Sequence, residues 1–300
     1  MNLPTLKQLR YFLALTEELH FGRAAALSFV SQSAFSTAIK ELETLLGTTL
    51  VERSNRQISI TESGHTVAKR ARECLRAAEQ LVESAHQKDE PLTGELRLGA
   101  IPTIAPFLLP QSLPRIRRTY PRLMLYLAED QTARLHMRLL DHQLDLILIA
   151  LPFELPGTEV MPLFRDRFLL ACHEDTQRVN PANYRFRQIE AGSIILLEDG
   201  HCLRNHALDA CKLRGTEKIN RFAASSLLTL VEMIDADLGI SYLPEMAASS
   251  SLLRNTRVRL HPMRDDNYRT IGLAWRKGSS RESEFRLLGE LLNKSGMQKH

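Results

Sequence analysis

Residues 61–86, TESGHTVAKRARECLRAAEQLVESAH, limit the possible folds of this chain more than any other passage. Val67, Ala71, Cys74/Leu75, Ala78, Val82 and Ala85 recur at spacings of three and four, and charged residues fill the positions between them. That pattern is the stripe of a long amphipathic helix, as narrow as a coiled-coil seam. Such a helix has little to pack on within its own chain, so dimerisation through it is expected. It also divides the sequence. The residues before it have helical periodicity. Those beyond the polar linker QKDEPLTG at 87–94 alternate short β-leaning runs with helical ones.

Three hundred residues exceed one small core, and length alone suggests about two domains. At 44% hydrophobic and 25% charged residues the composition is that of an ordinary globular protein. The start, MNLPTLKQLR, has no apolar run after a basic beginning, and no stretch approaches the ~20 apolar residues of a membrane span. A cytoplasmic protein with reduced thiols is therefore expected, with no membrane partner. Cys74, Cys172, Cys202 and Cys211 form no CxxC pairs, so no structural metal is expected.

Before the long helix, residues 5–17 and 21–27 read as helices. Ser31 is an N-cap and Gly47 a C-terminal stop for a third, with Phe35, Ile39, Leu42 and Leu46 on one buried stripe. Residues 48–61, TTLVERSNRQISIT, read as a β-hairpin wing turning at residues 54–56. Two short helices joined by a tight turn suit a helix-turn-helix, whose second helix enters the major groove. Gln32, Ser33, Ser36, Thr37 and Lys40 then face outward. Gln can pair bidentately with adenine, Ser and Thr can donate or accept, and Lys40, Arg53 and Arg56 suit phosphates. Bulk charge does not carry this reading: the net charge is only +4, and residues 1–60 hold six Lys and Arg against five Asp and Glu.

Residues 21–64, FGRAAALSFVSQSAFSTAIKELETLLGTTLVERSNRQISITESG, closely resemble the N-terminal domain of the LysR-type transcriptional regulators. The resemblance extends over the whole chain. It implies an α/β protein with an N-terminal all-α winged helix-turn-helix and a two-lobed effector domain like the periplasmic binding proteins. The expected division is a DNA-binding domain at 1–61, a linker dimerisation helix at 62–88 and an effector domain at 89–300. Within the effector domain, lobe 1 would take about 94–165 plus 269–300 and lobe 2 about 166–268. The runs ELRLGAI, LMLYLAE, LDLILIAL, RFLLACHE, SIILLED, GISYLP and TIGLAW would be its strands, in a mostly parallel sheet. The implied partners are double-stranded promoter DNA, RNA polymerase and further copies of the chain, as a homodimer and a homotetramer.

Within that family, LEDGHCLRNHALDAC at 197–211 resembles the sensor segment of the OxyR-type, hydrogen-peroxide-responsive branch. So do LGAIPTIAPFLLPQ, YLAEDQT and YRTIGLAWR. The resemblance implies that peroxide oxidises Cys202, that Cys211 joins it in a disulfide, and that thiol reductants reset the pair, with no cofactor and no enzymatic turnover. It implies a peroxide pocket of Thr103, Thr132, His201, Arg204 and Arg269. The segment reads as a helix over 202–214 with Cys202 in its first turn and His206 on the polar side. There the helix dipole, His201 and Arg204 are expected to lower the Cys202 thiol pKa, while Cys211 lies on the apolar stripe. Nine helical residues span ~13.5 Å and a disulfide needs Cα atoms within ~7 Å, so a bridge requires the helix to melt. Cys74 reads as packing on the linker seam and Cys172 as a buried strand residue. Asn205 replaces a common carboxylate, and Asp235 and Asp237 stand where small residues are usual. Three alternatives stay open: a LysR-type regulator of an organic anion with unreactive cysteines, a thiol peroxidase, and a periplasmic solute-binding protein.

Overall fold

The computed structural model describes residues 3–53, 58–85, 90–184, 189–210, 216–248, 250–263 and 267–297. The chain folds as two compact units, 1–89 and 90–300.

The first unit opens with α1 (Leu6–Glu18), whose N-cap Thr5 and residue Gln8 bond reciprocally in a capping box. Next come α2 (Phe21–Leu27) and α3 (Gln32–Leu46). Ser31 caps α3 by accepting from the Ala34 N–H, and Gly47 ends it in the left-handed conformation. Phe12, Leu15, Ala24, Phe35, Ile39 and Leu42 form the core, with the Phe35 ring stacked on Tyr11 at 5.1 Å between centroids. The wing is β1 (Val51–Arg53) against β2 (Ile58–Ile60), antiparallel. α4 (Glu62–Ala85) begins at Thr61, whose hydroxyl accepts from the Gly64 N–H. A Cβ at Gly64 would collide with the Leu50 carbonyl, so the close approach of α4 to the wing requires glycine there.

The stripe on α4 is used differently from the expectation. Ala68, Ala71 and Leu75 are buried in the first unit's own core, so the first half of the helix does find packing in its own chain. Leu81 and Val82, nearer its end, are exposed. Cys74, read as packing on the linker seam, is exposed in the single chain as well.

In the second unit the elements run β3 (Gly94–Ala100), α5 (Ala105–Thr119), β4 (Leu123–Glu129), α6 (Thr132–Leu140), β5 (Leu146–Leu151), β6 (Thr158–His173) and β7 (Ile194–Leu197). They continue with α7 (Cys202–Ala210), β8 (Ile219–Ala224), α8 (Leu227–Asp235), β9 (Ser241–Pro244), β10 (Val258–Pro262), β11 (Tyr268–Arg276) and α9 (Glu282–Met297). One sheet has the order β10-β6-β11-β5-β3-β4, with β9 also on β6, and β7 pairs with β8. The sheet is mixed rather than mostly parallel. β3 pairs parallel with β4 and β5, but β11 is antiparallel to both β5 and β6, and β9 and β10 are antiparallel to β6. The return of β11 between β5 and β6 accounts for this, since antiparallel neighbours need no helical crossover.

β6 spans both lobes. Its first part pairs with β11 and its last part with β9 and β10. Only the end of this strand, RFLLACHE, looks strand-like in the sequence. The preceding Pro162 breaks the pattern, and the structure accommodates it at the irregularity opposite Gly272. Two apolar cores flank this strand. Leu98, Ile147, Phe164, Trp275 and Leu288 belong to one, and Phe168, Ile195, Val231 and Tyr242 to the other.

Candidate functional site

β6 and β11 meet at the boundary between the two cores, and Asp166 and Arg269 are direct partners in their register. Arg269 is buried among neighbours that occupy its donors one by one. Its Nε donates to Asp166 Oδ2 at 2.9 Å, Nη1 to Thr103 Oγ1 at 2.9 Å and Nη2 to the Thr103 carbonyl at 2.8 Å. The other Asp166 oxygen accepts from the Met246 N–H at 3.0 Å. A guanidinium and a carboxylate removed from water are tolerated because their polar atoms are matched in this way. Thr103 lies just after β3 and Arg269 near the start of β11, so the pair ties the ends of two lobe-1 strands together.

α7 reaches this boundary from the other lobe. Its first residue, Cys202, is buried in the lobe-1 core, while Leu203 and Ala207 are buried in the lobe-2 core. Burial pushes the Cys202 thiol above the ordinary range. The Arg269 charge, the Thr132 hydroxyl and the backbone at Cys202 and Ala150 act in the opposite sense. The expected depression of this pKa is therefore overturned: dehydration outweighs the favourable groups. Thr132, the first residue of α6, has a buried hydroxyl with no partner at hydrogen-bonding geometry. It nevertheless stands close enough to the sulfur to favour a thiolate.

Thr103, Thr132, Arg269 and Cys202 thus come together. Arg204 is engaged elsewhere. Arg204 pairs with Asp199 at 3.0 Å and donates to the Leu197 carbonyl at 3.2 Å, so its charge is spent on the turn before α7. His201 precedes α7, and its carbonyl accepts from the Arg204 N–H at 3.0 Å. Gly200 in that turn has φ +96°, and a Cβ on it would meet the Gln131 side chain at 2.8 Å. The Gln131 tip can swing aside, so it is the left-handed backbone of the turn that favours glycine at this position. Cys211 lies outside the described residues; the helix is seen from Cys202 to Ala210.

Two residues of the site escape sequence reasoning. His206, expected on the polar side of the sensor helix, is buried, with Nε2 3.0 Å from the Pro152 carbonyl. Burial lowers its pKa, and the bond to Pro152 opposes that. The i, i+4 spacing from Cys202 is the available signal, because it sets the two on one face. Asp166 escapes because a lone carboxylate in a strand gives no sequence sign of its partner, which lies far away in the chain. Elsewhere, Cys172 is buried and its thiol is pushed up to about 11, first by burial and then by Asp237. Asp235 and Asp237 are absorbed within lobe 2: Asp235 accepts from the Arg257 N–H at 2.5 Å, and Asp237 from the Thr176 hydroxyl at 2.8 Å.

In the first unit, Gln32, Ser33, Thr37 and Lys40 are exposed on α3, and Ser36 is half-buried. Arg53 ends β1, and Arg56 lies outside the described residues. Among the described residues no helix is long and apolar enough to cross a membrane, and no cluster of His, Cys, Asp and Glu could hold a metal ion.

Comparison with known proteins bears on both units. Residues 6–65 match the bacterial regulatory helix-turn-helix protein family, lysR type, and residues 89–296 match the LysR substrate binding domain. The transcriptional regulator EstR of Acinetobacter baylyi is 40% identical over 294 residues, 97% of each chain. The transcriptional dual regulator OxyR of Escherichia coli K12 is 37% identical over 287 residues, 96% of this chain and 94% of that one. A point variant of full-length OxyR from Pseudomonas aeruginosa superposes with a TM-score of 0.80 at 32% identity, over 97% of this chain and 95% of that one.

Proposed function

This chain belongs to the LysR family of DNA-binding transcriptional regulators, and from that premise we propose that it is a hydrogen-peroxide sensor in which Cys202 is the oxidised sulfur. The observation that carries the reading is the buried group of Cys202, Thr132, Thr103 and Arg269 where the two lobes join.

The chemistry depends on these atoms. The Cys202 sulfur attacks one oxygen of the peroxide, the O–O bond breaks, and the thiol proton leaves with the other oxygen as water, giving a sulfenic acid. Thr103 Oγ1 already accepts from Arg269, so its own O–H can offer a hydrogen bond to the leaving oxygen while the thiol supplies the proton. Thr132 and Arg269 favour the charge that builds on sulfur as the proton moves. The Cys211 thiol then attacks the sulfenic sulfur and expels a second water, leaving a disulfide, which cellular thiols reduce by two exchanges. Cys211 comes one position after the last described residue of α7, so a bridge cannot close across an intact helix. Unwinding α7 withdraws Leu203 and Ala207 from one core and Cys202 from the other, which converts oxidation into a change between lobes. We assign 1–61 to operator binding, 62–88 to dimerisation, and 89–300 to sensing. A homotetramer on promoter DNA would pass the change to RNA polymerase.

A second reading keeps the family and makes the effector a small organic molecule. It is favoured by the raised Cys202 thiol. An anionic effector is disfavoured at this site, because Asp166 already neutralises Arg269. Titration of the reduced chain with peroxide separates the two readings. The sensor loses two of its four thiols per chain, and the Cys202→Ser variant keeps all three of its own; four unchanged thiols in wild type would overturn it.

A further inference from the structure

The turn between α2 and α3 contains a residue whose chemistry is unused within the chain. Phe29 has φ +55° and is 95% exposed. The backbone there must be left-handed to close the turn: the Phe29 N–H donates to the Ala26 carbonyl and the Val30 N–H to the Ala25 carbonyl, both at 3.1 Å. Glycine or asparagine adopts that conformation readily, and a bulky side chain does not. Packing offers no compensation for phenylalanine, since the ring meets almost nothing of its own chain. An aromatic residue held in an unfavourable conformation with its face in water points to an outside partner.

Its position selects the partner. Phe29 lies two residues before Ser31, the N-cap of α3, and three before Gln32, which is exposed. Its ring therefore borders the N-terminal end of α3, the end that meets base edges. We propose that Phe29 is a specificity residue for operator DNA, making an apolar contact with the C5-methyl group of a thymine in the major groove. This rests on the reading of α3 as the DNA-facing helix.

The test uses the full-length chain. A preferred site is selected from a random duplex library, and affinities are measured at one salt concentration for wild type, Phe29→Asn and Gln32→Ala. The same duplex is then remade with single thymines replaced by deoxyuracil, which removes only the methyl group. Phe29→Asn is expected to weaken site binding roughly five- to tenfold while its Tm is equal or higher, because the turn loses its strain. One deoxyuracil is expected to weaken wild type by roughly threefold and to leave Phe29→Asn unaffected. Unchanged affinity of the variant, or a deoxyuracil effect that persists in it, would overturn the proposal. So would a change in sedimentation of the variant without DNA, which would assign the ring to a second copy of the chain. If Gln32→Ala leaves affinity and selectivity untouched, it is the orientation of α3 that fails, independently of Phe29.

Discussion

At Cys202, dehydration raises the thiol pKa and Arg269 and Thr132 lower it, and dehydration prevails. The thiol is therefore largely protonated at neutral pH, and the thiolate fraction grows as pH rises. Sulfenic acid formation at Cys202, monitored by a dimedone-type probe under limiting peroxide, should speed up continuously from about pH 7 to about 9.5; a rate that plateaus below pH 7 would refute it. His206 has the opposite sense. Its folded pKa lies below its unfolded value, so its contribution to stability is complete above about pH 6.5 and is lost as pH falls through the folded pKa. Urea midpoints measured from about pH 7.5 down to about 5 should decline in wild type and decline less in His206→Gln. Arg269 uses Nε, Nη1 and Nη2 on three different acceptors, so lysine cannot replace it. Arg269→Ala strands Asp166 in the interior and should cost about 3–5 kcal/mol of unfolding free energy. A variant as stable as wild type would show that the pair is not needed to hold the lobes.

At the scale of the element, α7 is short, and helices of this length persist only by packing. Its residues are divided between two cores, so its stability depends on both lobes keeping their places. Leu203→Ala removes a side chain from the lobe-2 core and should destabilise the helix-intact, reduced state by about 2–4 kcal/mol. The variant should consequently reach the disulfide at lower peroxide, read by counting free thiols; a higher requirement would mean that α7 does not unwind. α4 divides its work along its length. The Ala68, Ala71 and Leu75 end is committed to its own chain, and the exposed end around Val82 is the part of α4 to which we assign the proposed dimerisation. Val82→Glu puts a charge on that seam and should weaken self-association at least tenfold, roughly the effect of 1.4 kcal/mol. Sedimentation equilibrium checks this, and an unaltered dimer would move the interface elsewhere.

Across the whole molecule, the parts legible in the sequence are those whose cause lies within a few residues. The caps Ser31 and Gly47, the wing and the start of α4 arise from local backbone needs. The buried stripe Phe35, Ile39 and Leu42 arises from the 3.6-residue period. The association of Cys202 with Thr103, Thr132 and Arg269 is legible only through family resemblance, because those residues come from four separate segments and carry no mutual signal in one chain.

What the sequence by itself determined is the helices and wing of the first unit, seven of the nine described strands of the second, and the family. The tertiary structure alone decided the direction of the Cys202 pKa and the pairing of Arg204 with Asp199. It also decided the burial of His206, the partner of Arg269 and the antiparallel return of β11. The physical reason is the same for each. Dehydration, charge pairing and strand neighbours depend on what residues far away in the chain bring to the same place, and periodicity describes only which side of an element a residue is on.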